Sequence, residues 1–196
     1  MWNCCALAEW IASTYPHVSA PNRRARDLWT PPPVCATLSR MPSWSEFEEQ
    51  APALAERVRA RLNAHTHKTI ATIRRDGSPR ISGTETEFKD GDLWIGSMWQ
   101  ALKARDLQRD PRFALHSGSD EPAEWSGDAK LAGVAEEIVD PERIKETGGG
   151  NAPSGPSHRF RLDLREVSTV ELDDARKALV IEVWTPERGV RTMKRD

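Results

Sequence analysis

The fifty-residue stretch from Lys68 to Ser117 limits the possible folds of this chain more than any other part of the sequence. Short β-rich runs alternate there with tight turns, and the pairs Asp76-Gly77 and Asp90-Gly91 separate the first three predicted strands. A short basic segment follows and predicts a helix, which Asp110-Pro111 ends before a fourth strand. The order predicts strand, turn, strand, turn, strand, helix and strand.

The rest of the chain continues this pattern. Many short to medium strands with tight turns and few helices favour a mainly β fold, an antiparallel sheet of six or seven strands closed into a barrel, over a parallel α/β fold. Residues Pro141 to Glu146 predict one or two helical turns. The predicted strands are Lys68–Arg74, Arg80–Lys89, Asp92–Ser97, Arg112–Ser117, Ala129–Val139, Arg159–Leu172 and Lys177–Thr185.

An amphipathic helix is predicted before the first strand, over Glu46–Asn63. Ser45 and Glu48 match the capping-box pattern that marks a helix start. Apolar residues recur at helical spacing and predict a stripe that packs against the barrel: Phe47, Ala51, Leu54, Val58 and Leu62.

The first forty residues differ from the rest, with no sustained helical or strand period. All three cysteines, Cys4, Cys5 and Cys35, lie there, so no disulfide can support the main fold, and a reducing cytoplasm fits. The alternative, a metal site formed by these cysteines and His17, lacks the paired close spacing of zinc sites. We therefore expect a disordered or peripheral extension at 1–40 and one domain at 41–196.

Composition excludes several classes of function. Basic and acidic residues are interleaved and the net charge is −2, so no nucleic-acid-binding surface is expected. No apolar run approaches the roughly 20 residues that cross a bilayer. The pair His65 and His67 has no third ligand nearby, so no metal site is expected.

The predicted helix that begins near residue 101 carries Lys103 in its first turn. A cation there opposes the positive end of the helix dipole unless an anion binds. Free backbone amides, Ser97 and Arg80 would offer a phosphate suitable donors. Alternatively, Lys103 pairs with Asp106 or Asp110 on a solvated face and Arg80 is a surface residue.

The order of strands and turns resembles that of the pyridoxamine 5'-phosphate oxidase-like split-barrel flavoproteins. In that family a Gly-Ser-Arg-Lys-Ala turn opens a helix that holds the phosphate of flavin mononucleotide (FMN), and residues 100–104 here read Gln-Ala-Leu-Lys-Ala. The resemblance implies that Arg80, Ser97 and Lys103 contact the phosphate. It also places Trp99 in the turn, where it either covers the edge of the flavin or blocks the pocket.

The segment from Val180 to Arg188 resembles the last strand of the same family. The resemblance implies a homodimer, in which Trp184 and either Arg188 or Arg191 reach a flavin bound mainly by the other subunit. Packing in the core or at the dimer interface is the alternative role for Trp184. No Arg-Leu-His-type substrate clamp follows Trp184, so vitamin B6 oxidation is not expected.

The resemblance implies an FMN-dependent oxidoreductase that passes hydride from a reduced nicotinamide to a small organic acceptor. A deazaflavin coenzyme in place of FMN is an open variant, because the same cationic groove would bind its phosphate. A cofactor-poor binding or storage protein on the same barrel is the alternative, since Ala101 and Leu102 replace the serine and arginine of the family turn.

Overall fold

The computed structural model describes residues 41–147, 155–175 and 177–195. The extension predicted at 1–40, with its cysteines, lies outside these ranges. No helix within them is long and apolar enough to span a membrane. The helices are α1 (Trp44–Gln50), α2 (Pro52–Ala64), α3 (Leu102–Arg109) and α4 (Pro141–Thr147). The strands are β1 (Lys68–Ile73), β2 (Pro79–Thr84), β3 (Thr86–Lys89), β4 (Asp92–Met98), β5 (Arg112–His116), β6 (Asp128–Ile138), β7 (Ser157–Leu172), β8 (Leu179–Thr185) and β9 (Gly189–Arg195).

The strands form one sheet in the order β2-β1-β5-β6-β7-β4-β3, and all their pairings are antiparallel. The long strand β7 pairs with β6 along one edge, whereas its other edge pairs with β4 near its start and with β8 near its end. The sheet therefore branches at β7, with β4 and β8 paired to different parts of the same edge, and the arrangement resembles a barrel. The predicted mainly β, antiparallel fold is confirmed, with nine strands in the described residues in place of six or seven.

A β-bulge bends the longest pairing, between β6 and β7, at Ala132 and Gly133. A Cβ atom on Gly133 would lie 1.9 Å from the carbonyl oxygen of Asp163. Only glycine therefore allows the two backbones to approach so closely.

Both predicted Asp-Gly turns are present. Asp90 and Gly91 have φ angles of 54° and 79°, the pair of positive values that a two-residue hairpin turn requires, and Gly77 has a φ angle of 85°. The second predicted strand is interrupted at Glu85, which separates β2 from β3.

The predicted single helix before the first strand is wrong in one respect: it is two helices. The helix breaks at Ala51, with φ −144° and ψ 59°, because the residue before a proline is disfavoured in the helical region. The start also lies earlier than predicted, since the capping box is formed by Ser43 and Glu46. The predicted apolar stripe is confirmed, and all five of its residues are buried in the core.

Candidate functional site

Helix α3 joins β4 to β5, and its side chains contact β1, the neighbour of β5, and β2. Lys103 Nζ donates a hydrogen bond of 2.7 Å to the carbonyl oxygen of Gly83 on β2. A second contact between α3 and the strands is made by the buried carboxylate of Asp106. It accepts hydrogen bonds from Thr72 Oγ1 on β1 at 3.0 Å and from Arg80 Nε on β2 at 2.6 Å. These bonds fix the position of the first turn of α3 over the sheet.

The carboxylate of Asp106 is the anchor of this arrangement. Burial would raise its pKa, but the hydrogen bonds from Arg80, Arg109 and Thr72 hold the pKa below its ordinary value of 3.8. Arg80 is therefore not a free surface residue: its side chain is 20% exposed and Nε is bound, while the described residues provide no partner for its two terminal nitrogens.

Several backbone N–H groups at the start of α3 have no hydrogen-bond acceptor among the described residues. The amide of Ala101 binds the carbonyl oxygen of Met98, and the amide of Arg105 binds that of Ala101. Within the described chain, the three amides between them have no backbone acceptor, and the helix has no side-chain cap. Free amides at the positive end of a helix dipole form a site for an anion.

The turn before α3 depends on Gln100, whose φ angle of 62° is unusual for a residue other than glycine. Its side-chain oxygen accepts hydrogen bonds from Arg105 Nε and Nη2, at 2.9 and 2.5 Å. Gln100 thus adopts the left-handed conformation while its own side chain is held by Arg105.

Lys103 does not pair with Asp106 or Asp110, the alternative that the sequence left open. Asp106 binds Arg80 and Arg109, and Asp110 binds Arg112. Burial lowers the pKa of Lys103, and the negative charge of Glu85 opposes that shift only in part. An additional anion near this ammonium group would therefore stabilise its charged form.

Ser97 on β4 is buried, and its hydroxyl oxygen has no hydrogen-bond partner among the described residues. It lies directly opposite His158 on β7, so the two side chains share one face of the sheet. Because His158 binds the amide of Gln100, that face lies against the turn that opens α3. A buried hydroxyl without a partner is costly unless a ligand or water supplies one.

Trp99 lies flat on the imidazole of His158, with ring centroids 4.8 Å apart and an interplanar angle of 9°. More than half of the Trp99 side chain is exposed, so its outer face is available to a planar ligand. Sequence reasoning did not select His158, because its proximity to the turn depends on the pairing of β4 with β7, which the sequence does not reveal.

Trp184 and Arg188 are not brought to this group. Trp184 is fully buried, and its ring packs 4.8 Å from that of Phe47 on α1. It pairs with Val167, nine residues along β7 from His158 and so about 30 Å away at 3.3 Å per residue. Within one chain Trp184 therefore packs in the core, the alternative role that the sequence left open, and Arg188 is exposed in the turn between β8 and β9. Their contact with a flavin bound by a second subunit stays a prediction.

Comparison with known proteins supports the fold assignment. The family model for pyridoxamine 5'-phosphate oxidase matches residues 54–171, more than half of the chain. The structure of PhzG from Burkholderia lata 383, in complex with tetrahydrophenazine-1-carboxylic acid, is similar with a TM-score of 0.53 and 13% identity, covering 76% of this chain and 95% of that one. None of the curated proteins compared with the sequence matches it.

A second similar structure is that of a pyridoxamine 5'-phosphate oxidase-related, FMN-binding protein from Nostoc punctiforme PCC 73102. Its TM-score is 0.52 at 15% identity, covering 72% of this chain and 94% of that one. At such low identity both structures show the fold alone.

Proposed function

The chain belongs to the pyridoxamine 5'-phosphate oxidase family, and we propose that it is an FMN-dependent oxidoreductase acting on a small organic acceptor. The observation that carries the proposal is the uncapped start of α3, where three backbone amides without partners lie beside Lys103. The FMN-binding protein from Nostoc punctiforme, which shares the fold, supports the choice of cofactor.

The residues present fit the phosphate of FMN. The three free amides, the ammonium group of Lys103 and the terminal nitrogens of Arg80 are all donors, and the unpartnered hydroxyl of Ser97 lies on the face beside the turn. Ala101 and Leu102 add no side-chain donor. Because one charge-assisted hydrogen bond contributes about 1.5–3 kcal/mol, we expect binding one or more decades weaker than a turn with serine and arginine would give.

A bound flavin would supply the hydride chemistry, and the protein would supply binding, orientation and exclusion of water. The start of α3 would hold the phosphate, and the exposed face of Trp99 would stack on a planar ring. No residue is proposed as a general acid or base. A deazaflavin coenzyme would use the same donors through its own phosphate, and vitamin B6 oxidation is not part of the proposal.

The proposal includes a homodimer, because large apolar side chains on β2, on β4 and in the turn after β4 are open to solvent. Ile81 on β2 is 75% exposed and Met98 on β4 is 72% exposed, and Trp99 and Leu102 are also exposed. A second copy covering them would also close the cofactor site. The cytoplasmic location that the cysteines predict belongs to the same proposal.

Purified full-length protein tests the cofactor directly. We expect it to retain or take up FMN, to show the absorption bands of a flavin, and to lose those bands when a reduced nicotinamide is added without oxygen. Parallel titrations with riboflavin and with a phosphorylated deazaflavin separate recognition of the phosphate from recognition of the ring.

The competing function is a binding or storage protein that uses the same barrel without a flavin. The loss of side-chain donors at Ala101 and Leu102 favours it. Colourless protein whose fluorescence and melting temperature do not respond to FMN, riboflavin or deazaflavin would support this function and contradict the proposed one.

A further inference from the structure

His158 connects the start of β7 to the turn that opens α3. It is 3% exposed, and its imidazole lies between the rings of Trp99 and Phe160, with centroids at 4.8 and 6.2 Å. Neither the fold nor the phosphate donors described above require a histidine at this position.

The hydrogen bonds of His158 define where its proton lies. The backbone amide of Gln100 donates to Nε2 at 3.2 Å, so Nε2 must present a lone pair. The proton is therefore on Nδ1, which donates to the carboxylate oxygen Oε1 of Glu137 at 2.6 Å. Glu137 also accepts from the side-chain amide of Gln108 on α3, at 2.9 and 3.2 Å. The two hydrogen bonds thus fix one arrangement of donor and acceptor on the imidazole.

The hydrogen bonds of His158 help to hold Gln100 in its unfavourable backbone conformation. A residue with a side chain is unfavourable at a φ angle of 62°, and two contacts hold it there: the bond from its amide to His158 and the bonds from Arg105 to its side chain. The conformation of Gln100 determines where α3 begins. It therefore determines the direction of the free amides of Leu102, Lys103 and Ala104.

We propose that His158 is the positioning residue of the anion-binding turn, a role that rests on the proposed function. The groups that face the ring are the carboxylate of Glu137, the amide of Gln100 and the aromatic rings of Trp99 and Phe160, with Ser97 opposite on β4. A side chain without an acceptor at the place of Nε2 would leave the amide of Gln100 unpaired and is therefore expected to weaken phosphate binding.

Two substitutions separate positioning from packing. His158→Phe keeps an aromatic ring between Trp99 and Phe160 but removes both nitrogens. His158→Gln keeps an acceptor near the position of Nε2 and a donor toward Glu137. At pH 8, we expect His158→Phe to raise the dissociation constant for FMN about tenfold and to leave that for riboflavin unchanged, and His158→Gln to restore most of the loss.

The comparison of two ligands provides the second readout. The affinities of each protein for FMN and for riboflavin are measured in parallel by fluorescence quenching at pH 8. A role of His158 in packing alone would change both affinities together, whereas a role in positioning the turn changes the affinity for FMN alone.

Equal FMN affinity in wild type and His158→Phe would overturn the inference, as would an equal loss for FMN and riboflavin or a His158→Gln variant that binds FMN no better than His158→Phe. A wild type that binds no FMN would instead overturn the proposed function. In that case, hydrogen exchange of the Gln100 amide tests whether His158 stabilises the turn in the absence of ligand. Faster exchange in His158→Phe than in wild type supports this role, and unchanged exchange contradicts it.

Discussion

Asp106 and Lys103 lie three residues apart on α3 and have different kinds of partner. The carboxylate of Asp106 is buried and accepts three hydrogen bonds, two of them from arginines. The ammonium group of Lys103 has one described partner, the carbonyl oxygen of Gly83. Asp106 is therefore expected to contribute mainly to stability, and Lys103 mainly to binding.

Asp106→Asn is expected to lower the free energy of unfolding by about 2–3 kcal/mol. The substitution removes the buried negative charge that pairs with Arg80 and leaves this guanidinium group without its counter-ion. Urea unfolding at pH 7 measures the change. Asp110→Asn is the matched control, since the Arg112 side of the pair formed by Asp110 and Arg112 is exposed, so this pair should contribute much less to stability.

The pH dependence of this difference follows from the lowered pKa of Asp106. A carboxyl group whose pKa is lower in the folded state stabilises the protein above its unfolded pKa, and this stabilisation is lost as the pH falls through the folded pKa. The difference in stability between wild type and Asp106→Asn should therefore shrink below about pH 4. A constant difference from pH 7 to pH 3 would contradict the role assigned to the charge.

Lys103→Ala is expected to weaken FMN binding about tenfold or more, since it removes one charge-assisted contact with the phosphate. The fold should change little in stability. Lys130→Ala, at an exposed lysine on β6, removes the same charge elsewhere and should leave FMN affinity unchanged. Equal affinity in wild type and Lys103→Ala would show that the phosphate site lies elsewhere.

The sequence could predict part of this site because the relevant residues lie close together in the chain or on neighbouring predicted strands. Lys103 and Ser97 flank one turn, and Arg80 is on the hairpin before it. His158 could not be predicted, because it reaches Gln100 only through the pairing of β4 with β7. The same limit applies to Trp184, whose burial against Phe47 depends on tertiary packing.

At the scale of elements, the N-terminal helices show how two similar sequence signals compete. Ser43 and Glu46 fit the capping-box pattern as well as Ser45 and Glu48 do, and the structure uses the first pair. The apolar stripe was predictable because Pro52 interrupts the helix without shifting the buried face. The break itself was missed because helical periodicity outweighed the effect of proline on Ala51.

Ser43→Ala should lower the free energy of unfolding by about 1 kcal/mol, the typical contribution of an N-cap side chain. The hydroxyl of Ser45 does not cap the helix and contacts that of Ser43, so Ser45→Ala should have a smaller effect. Thermal or urea unfolding of the two variants gives the comparison. A larger loss in Ser45→Ala would place the cap at the later serine.

Strand β9 was not predicted, and its exposure explains why. Six of its seven residues, all except Gly189, are exposed, so the sequence has no alternation of apolar and polar residues. The division between β2 and β3 was missed for a related reason, since the residues on both sides of Glu85 continue the same β-rich composition. In contrast, the tight turns at Asp76-Gly77 and Asp90-Gly91 were predictable because local backbone chemistry determines them.

At the scale of the whole molecule, the proposed homodimer predicts that the exposed side chain of Ile81 is covered by the second subunit. Ile81→Glu places a charge among the exposed apolar residues of the proposed interface and should shift the protein from dimer to monomer in sedimentation velocity. Met193→Glu is the control, because Met193 is also exposed but lies on β9, which reaches β7 only through β8 and at the end of β7 that is far from His158. A wild type that is monomeric at high concentration, or an Ile81→Glu variant that dimerises normally, would contradict the dimer.

The central claim is that the first turn of α3 binds the phosphate of FMN, and a gain of affinity tests it most directly. Ala101→Ser with Leu102→Arg restores the donors of the family turn at two positions that are not buried. Titration of wild type and this double variant with FMN and riboflavin, by fluorescence quenching, gives four dissociation constants. We predict that the double variant binds FMN at least about tenfold more tightly and riboflavin no more tightly. An equal gain for both ligands, or no gain for FMN, would contradict a phosphate site at this turn.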